Sequence, residues 1–122
     1  MKYILLAYTN RDEWESVDYS SPEFLAMCEF YDELGKELAG TGEFVATEGL
    51  AEPSFTRTVR RQDGVPVAVD GPYAESKEVL ASFAILDCAS HDRAMEIAAR
   101  IVAAVGDTVE VRPIQEADPR AG

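Results

Sequence analysis

The sequence has few of the side chains on which common metal and cofactor sites depend. It contains one histidine and two cysteines, Cys28 and Cys88, without the spacing of a zinc or redox motif. A glycine-rich phosphate loop and an aspartate-rich calcium loop are also missing from the sequence. We therefore expect no metal and no nucleotide cofactor, and we interpret the two cysteines as reduced, buried thiols.

Basic residues are scarce as well, because 11 lysines and arginines face 23 acids and the net charge is −12. Such a surface repels phosphate backbones and anionic membranes, so neither nucleic acid nor membrane is expected as a direct partner. No stretch approaches the roughly 18 apolar residues of a membrane span, and the first apolar run is too short for the core of a signal peptide. We expect a cytoplasmic protein.

Apolar residues, in contrast, are sufficient for one core. The chain has 122 residues, of which 47% are hydrophobic. This length suits a single domain and is too short for two domains with separate cores. The sequence therefore predicts one domain over residues 1–122.

Periodicity and turn residues predict the order of the secondary structure. Two apolar stripes at helical spacing follow N-cap serines, in a capping box that begins at Ser20 and at Ser90. Asp63-Gly64 predicts a hairpin turn. Short apolar or alternating segments predict strands over residues 3–8, 43–50, 55–61, 65–70, 80–86 and 108–112.

This order corresponds to an α+β fold of the ferredoxin-like βαββαβ type with an extra β-hairpin. Two helices on one face of an antiparallel sheet satisfy the layer rule for such folds. Segments 3–8 and 80–86 are apolar at nearly every position, which is typical of strands that are covered on both faces. A second copy would cover the face without helices, so we expect a homodimer.

Polar groups are concentrated after the predicted hairpin, where Gly71-Pro72 forces a turn. One interpretation is a catalytic site in which Asp70 or Glu75 acts as the base and Lys77 stabilises a developing anion. A rigid turn whose charges pair with one another and with water explains the same residues, and the residues alone favour that simpler interpretation. The candidate ligand-binding residues are Tyr8, Asp70, Tyr73, Glu75, Lys77 and Glu78.

Segment 9–21 is long for a connection in a compact domain, which is typical of functional or partner-contacting loops. It contains the only tryptophan, Trp14, which either covers the core or contributes to binding.

The turn also carries a family resemblance. Asp70-Gly71-Pro72-Tyr73-Ala74-Glu75-Ser76-Lys77-Glu78 resembles the DGPFAETKE signature of the DGPF-type branch of the YCII-related family, with Tyr73 in place of Phe and Ser76 in place of Thr. The similarity extends to the opening Met1-Lys2-Tyr3-Ile4-Leu5-Leu6 and to the closing Val109-Glu110-Val111-Arg112-Pro113. It implies a ferredoxin-like dimer related to the dimeric α/β barrels, and a frequent association with extracytoplasmic-function sigma factors.

Two departures from the family pattern limit what the resemblance implies. Some relatives are proposed enzymes with a His–Asp pair, but the only histidine here, His91, does not match that position. Ala81-Ser82 stands where relatives tend to have two glycines, which reduces close approach of a ligand to that backbone.

Three functions fit these observations. The first is a binding or regulatory domain for a small polar or anionic molecule, linked to a partner such as a sigma factor. The second is a small enzyme without a cofactor that performs acid–base chemistry at the loop from Asp70 to Glu78. The third is a purely structural dimer.

Overall fold

The computed structural model describes residues 1–73 and 76–116. The strands and the two long helices follow one another in the order expected for the ferredoxin-like fold, with a hairpin and a short helix in addition. The elements are β1 (Lys2–Asn10), α1 (Arg11–Glu15), α2 (Pro22–Thr41), β2 (Phe44–Gly49), β3 (Arg57–Gln62), β4 (Val65–Asp70), β5 (Glu78–Asp87), α3 (His91–Val105) and β6 (Thr108–Pro113). A short 3₁₀ turn, Pro53–Phe55, precedes β3.

The main sheet has four strands in the order β2-β5-β1-β6, and every neighbouring pair is antiparallel. Strands β3 and β4 form a separate two-stranded sheet. Removing this hairpin leaves the βαββαβ order, so the structure confirms the predicted α+β fold with an inserted hairpin.

Side-chain caps fix where the two long helices begin. The Ser21 hydroxyl accepts a hydrogen bond from the Phe24 amide at 3.2 Å, so the cap is one residue later than the predicted capping box. Ser20 bonds to Asp18 instead. Ser90 caps α3 as predicted, by accepting from the Arg93 amide at 3.1 Å. No helix in the described part of the chain is long and apolar enough to cross a bilayer.

The core lies between the main sheet and the helices α2 and α3. Alternation along β1 directs Tyr3, Leu5 and Ala7 toward the helices. Tyr3 and Leu5 pack with Leu34 and Leu38 of α2, with Leu86 and Cys88, and with the buried stripe of α3, which comprises Ala94, Ile97, Ala98 and Ile101. Both cysteines are free, but Cys28 is exposed, so the prediction that both are buried is wrong for Cys28.

Cys28 is exposed because α2 is buried only toward its C-terminal half. Leu34 and Leu38 are its buried residues, whereas Phe24, Met27 and Tyr31 are half-buried. The predicted apolar stripe is therefore present in the helix, but Phe24 and Met27 lie outside the core cluster, and Phe30 and Tyr31 pack only partly buried against it. This incomplete burial of α2 borders the space described below.

The inserted hairpin has the predicted turn. Asp63 and Gly64 have φ angles of 52° and 79°, as a tight two-residue turn between antiparallel strands requires. The two strands are also held together at the base of the hairpin, where the Thr58 hydroxyl donates to the Gly71 carbonyl at 2.7 Å. Apolar side chains along it are exposed, among them Val59, Val65 and Val69.

The segment between β1 and α2 contains the helix α1, whereas the sequence predicts a loop there. The Asn10 side chain caps α1 by accepting from the Glu13 amide at 3.0 Å. Five residues are too few to show an apolar periodicity, so the helix left no pattern in the sequence.

Candidate functional site

The residues predicted from the DGPF-like turn lie mostly at the surface. The Asp70 carboxylate forms an exposed ion pair with Arg57, with 3.2 Å between Oδ1 and Nε. Tyr73 is 77% exposed, and its ring lies under the Arg60 guanidinium at 5.9 Å. The Lys77 carbonyl accepts from the backbone amide of Arg11 at 2.7 Å, while the Lys77 residue itself is exposed. Glu75 lies outside the described residues.

Two of the predicted residues do meet. Antiparallel pairing places Glu78 opposite Asn10 in β1, and it places Tyr8 opposite Thr108 in β6. Tyr8 and Glu78 therefore line one small polar recess of about 360 Å³, together with Thr9, Asn10, Glu13, Val105, Gly106, Asp107 and Thr108. The other described candidates, Asp70, Tyr73 and Lys77, do not contribute to this recess.

A larger cavity of about 1140 Å³ lies between α2 and the helix side of the main sheet. Its volume exceeds the roughly 300–1,000 Å³ of typical small-molecule sites. Six aromatic side chains contribute to the lining; they are Trp14, Tyr19, Phe24, Phe30, Tyr31 and Phe44. Aliphatic residues such as Leu5, Val17, Met27 and Leu50 complete the apolar walls.

Segment 11–21 forms one wall of this cavity through Trp14, Val17 and Tyr19. The Tyr19 hydroxyl donates to Glu52 Oε1 at 2.9 Å, and this hydrogen bond raises the Tyr19 pKa. The Tyr19 ring also packs edge-on against Phe24, with 5.0 Å between the ring centroids. Tyr19 thus connects the loop after β2 to the start of α2 at the edge of the cavity.

One end of the cavity is polar, where Thr9, Tyr31, Ser82 and Asp107 are brought together from β1, α2, β5 and the start of β6. Burial, with a contribution from the nearby Asp107 charge, raises the pKa of Tyr31 to about 12, and a hydrogen bond with Ser82 opposes this rise. Tyr31 is therefore a neutral hydrogen-bond donor at ordinary pH.

Asp107 is the acidic member of this polar end. Burial is the largest cause that raises the Asp107 pKa. The charges of Glu78 and Glu13 raise this pKa further, whereas a hydrogen bond with Thr9 lowers it. Asp107 lines both the large cavity and the small recess, so the two spaces meet at this carboxylate. Perturbed groups that line a cavity are typical of functional sites.

A β-bulge shapes the sheet beside the polar end. Ala7 pairs with Ser82, but Tyr8 pairs with Leu80, so Ala81 has no partner in β1. The Ala81 carbonyl instead accepts from the Leu50 amide at 2.8 Å. Bulges are frequent beside functional sites because they redirect side chains. The bulge occurs at the Ala81-Ser82 pair at which this sequence departs from the family pattern.

A family model for the YCII-related domain matches residues 1–118. The chain belongs to the YCII-related domain family. A curated protein of Rhizobium meliloti (strain 1021), named Uncharacterized protein R00369, is 30% identical over 116 residues, which cover 93% of this chain and 92% of that protein. The matched range includes the DGPF-like turn and all the described residues that line the cavity.

Sequence reasoning missed the residues of the polar end. Tyr31 lies at helical spacing within the apolar stripe of α2, a pattern that predicts a core residue, and Asp107 follows the helix-ending Gly106 like an ordinary loop residue. A polar hydroxyl within an apolar stripe was the available signal for Tyr31. Over residues 1–73 and 76–116, no three His, Cys, Asp or Glu side chains are grouped so that they can hold a metal ion.

Proposed function

We propose that this YCII-related domain binds a small molecule in the cavity between α2 and the sheet. The carrying observation is a large apolar and aromatic cavity that ends in a few convergent polar groups, the arrangement expected of a small-molecule site. The apolar part of the ligand packs against the aromatic walls. Its polar part bonds to Tyr31, Ser82 or Asp107.

A catalytic role at the turn from Asp70 to Glu78 receives less support. An effective general base is held within reach of its substrate in a site that shifts its pKa. Asp70 is exposed and paired with Arg57, and it does not line the cavity. We therefore favour binding, with transmission to a partner such as an extracytoplasmic-function sigma factor as a proposal that rests on the family resemblance.

The cavity proposal can be tested with paired glycine variants in α2. Gly35 lines the cavity, and nothing lies within 4 Å of a Cβ atom placed there. Gly40 is on the same helix with equal space, but it does not line the cavity. A small-molecule library is screened for ligands that raise the melting temperature and change the fluorescence of Trp14. The affinity of each ligand found in this way is then measured for the variants Gly35→Phe and Gly40→Phe.

We expect Gly35→Phe to abolish binding, because its ring occupies the cavity, and Gly40→Phe to retain it. Equal binding by both variants, or a broad library without a single ligand, would overturn the proposed site.

We further propose that the protein is a homodimer joined through the face of the sheet that carries no helix. Alternation places Ile4 and Leu6 of β1 on that face, and their partners in β5 are Ile85 and Phe83. These four side chains form an apolar centre that is half-buried in one copy. A second copy would remove this area from water, which is the main driving force of such association.

Sedimentation at micromolar concentration tests this proposal. We expect a dimer for the wild type and a monomer for Leu6→Asp, since a carboxylate at the centre of an apolar interface is left without a partner. Leu25→Asp is the control, because Leu25 is an exposed residue of α2. A monomeric wild type, or equal effects of the two variants, would refute the interface.

A further inference from the structure

The charged residues that line the cavity are all of one sign in the described part of the chain. They are Glu13, Glu23, Asp32, Glu52 and Asp107. Lysine, arginine and histidine are absent from the described lining. A cleft with low-dielectric walls and charges of one sign concentrates ions of the opposite sign. The cavity therefore favours positively charged ligands in addition to apolar ones.

The aromatic walls act in the same direction. Ring faces attract cations within about 6 Å, and tryptophan does so most strongly. Trp14 lies on the wall formed by segment 11–21, while Tyr31 lies at the polar end with Asp107. An apolar body and a positive charge can thus both be accommodated in one space.

Asp107 is the acid best placed to contact such a charge. It is half-buried at the polar end, and none of the ion pairs between described residues includes it. The nearby carboxylates Glu13 and Glu78 make its ionised form less favourable. A bound cation relieves this repulsion, whereas a bound anion increases it.

We propose that the ligand is a small organic cation, an amine or quaternary ammonium with an apolar body, whose positive group lies beside Asp107. The inference rests on the proposed function and adds the charge of the ligand. The sequence predicts a small ligand that is polar or anionic. The acidic lining of the cavity favours a polar ligand with a positive charge over an anion.

Three probes of similar length test the charge: 4-phenylbutylamine, 4-phenylbutanol and 4-phenylbutyrate. Because Trp14 is the only tryptophan, its fluorescence reports binding in the cavity directly. We expect the amine to bind about tenfold more tightly than the alcohol, and the carboxylate to bind most weakly. In Asp107→Asn, amine affinity falls about tenfold while alcohol affinity changes less than about twofold.

Glu33→Gln is the matched control, because it removes one negative charge from an exposed residue of α2 that does not line the cavity. It should leave all three affinities unchanged. Glu13→Gln provides a second cavity variant if Asp107→Asn melts before binding can be measured.

The two proposals fail in different ways. Equal binding of amine and alcohol, preference for the carboxylate, or an amine affinity insensitive to Asp107→Asn and Glu13→Gln overturns the charge inference and leaves the proposed cavity site unaffected. Failure of all three probes to change Trp14 fluorescence likewise overturns the charge inference alone, whereas a broad library without a ligand, or unchanged binding in Gly35→Phe, overturns the cavity site and the charge inference with it.

Discussion

The ion pair between Glu43 and Arg93 makes a quantitative prediction about stability. Arg93 Nε donates to one Glu43 carboxylate oxygen and a terminal guanidinium nitrogen to the other, both at 2.9 Å. The pair joins the start of α3 to the corner between α2 and β2, which are walls of the cavity. The Glu43 side chain is 14% exposed and that of Arg93 is 31% exposed, so solvent screens the pair only in part.

The hydrogen bonds from Arg93 lower the Glu43 pKa from 4.5 to about 2, against the opposing effect of burial. At about 1.4 kcal/mol per pKa unit, this depression corresponds to at most about 3.5 kcal/mol of unfolding free energy. Allowing for screening, we expect Glu43→Gln to lower the unfolding free energy by about 2 kcal/mol at pH 7.

The sign of the pH dependence follows from the depressed pKa. The stabilisation by the ionised Glu43 is complete above pH 4.5 and is lost as the pH falls toward about 2. The difference in unfolding free energy between wild type and Glu43→Gln should therefore be less than about half as large at pH 3 as at pH 7. Urea unfolding at both pH values, at one fixed protein concentration, measures this difference.

Glu37→Gln is the matched control for this experiment. Glu37 pairs with Arg100 at 2.6 Å, but the side chains are 49% and 44% exposed. An exposed pair of this kind contributes less than about 1 kcal/mol. Equal losses for Glu37→Gln and Glu43→Gln, or a Glu43→Gln loss as large at pH 3 as at pH 7, would refute the reasoning.

Three further predictions concern single residues. Since the Tyr31 pKa is raised from 10 to about 12, the unfolding free energy should fall between these pH values, and Tyr31→Phe should flatten this fall in an alkaline urea series. Gly35→Ala should raise the melting temperature, because its Cβ meets open space within a helix, whereas Gly42→Ala should lower it, because Gly42 has φ 80°. Native protein should react with a thiol reagent at the exposed Cys28 and not at Cys88, whose burial raises its pKa; equal labelling would contradict the burial of Cys88.

Much of the fold was predictable because its signals are local. The serine before α3, the Asp63-Gly64 turn and the helical stripes each act within a few residues, and together they determined the order of elements. The start of α2 was misplaced by one residue because Ser20 and Ser21 are adjacent and chemically alike. The structure shows that Ser21 is the residue whose hydroxyl reaches the Phe24 amide.

The cavity was not predictable, because its features depend on contacts between distant segments. A stripe with Tyr31 and Cys28 has the same helical spacing whether its N-terminal half is buried or stands away from the core. Asp107 gains its character from burial and from Glu13 and Glu78, which are distant in sequence. The DGPF-like turn stands out in the sequence because its charges are contiguous. Among its described residues, however, only Glu78 lines the small polar recess, which Asp107 also lines.

The bulge in β5 has a consequence for how this domain can tolerate changes in chain length. Removing Ala81 would leave Ser82 opposite Ala7 and Leu80 opposite Tyr8, as they are now. Deleting a regularly paired residue elsewhere in β5 would instead transfer the neighbouring side chains to the opposite face of the sheet. Ala81 is thus a position where a one-residue deletion straightens the strand and preserves its register.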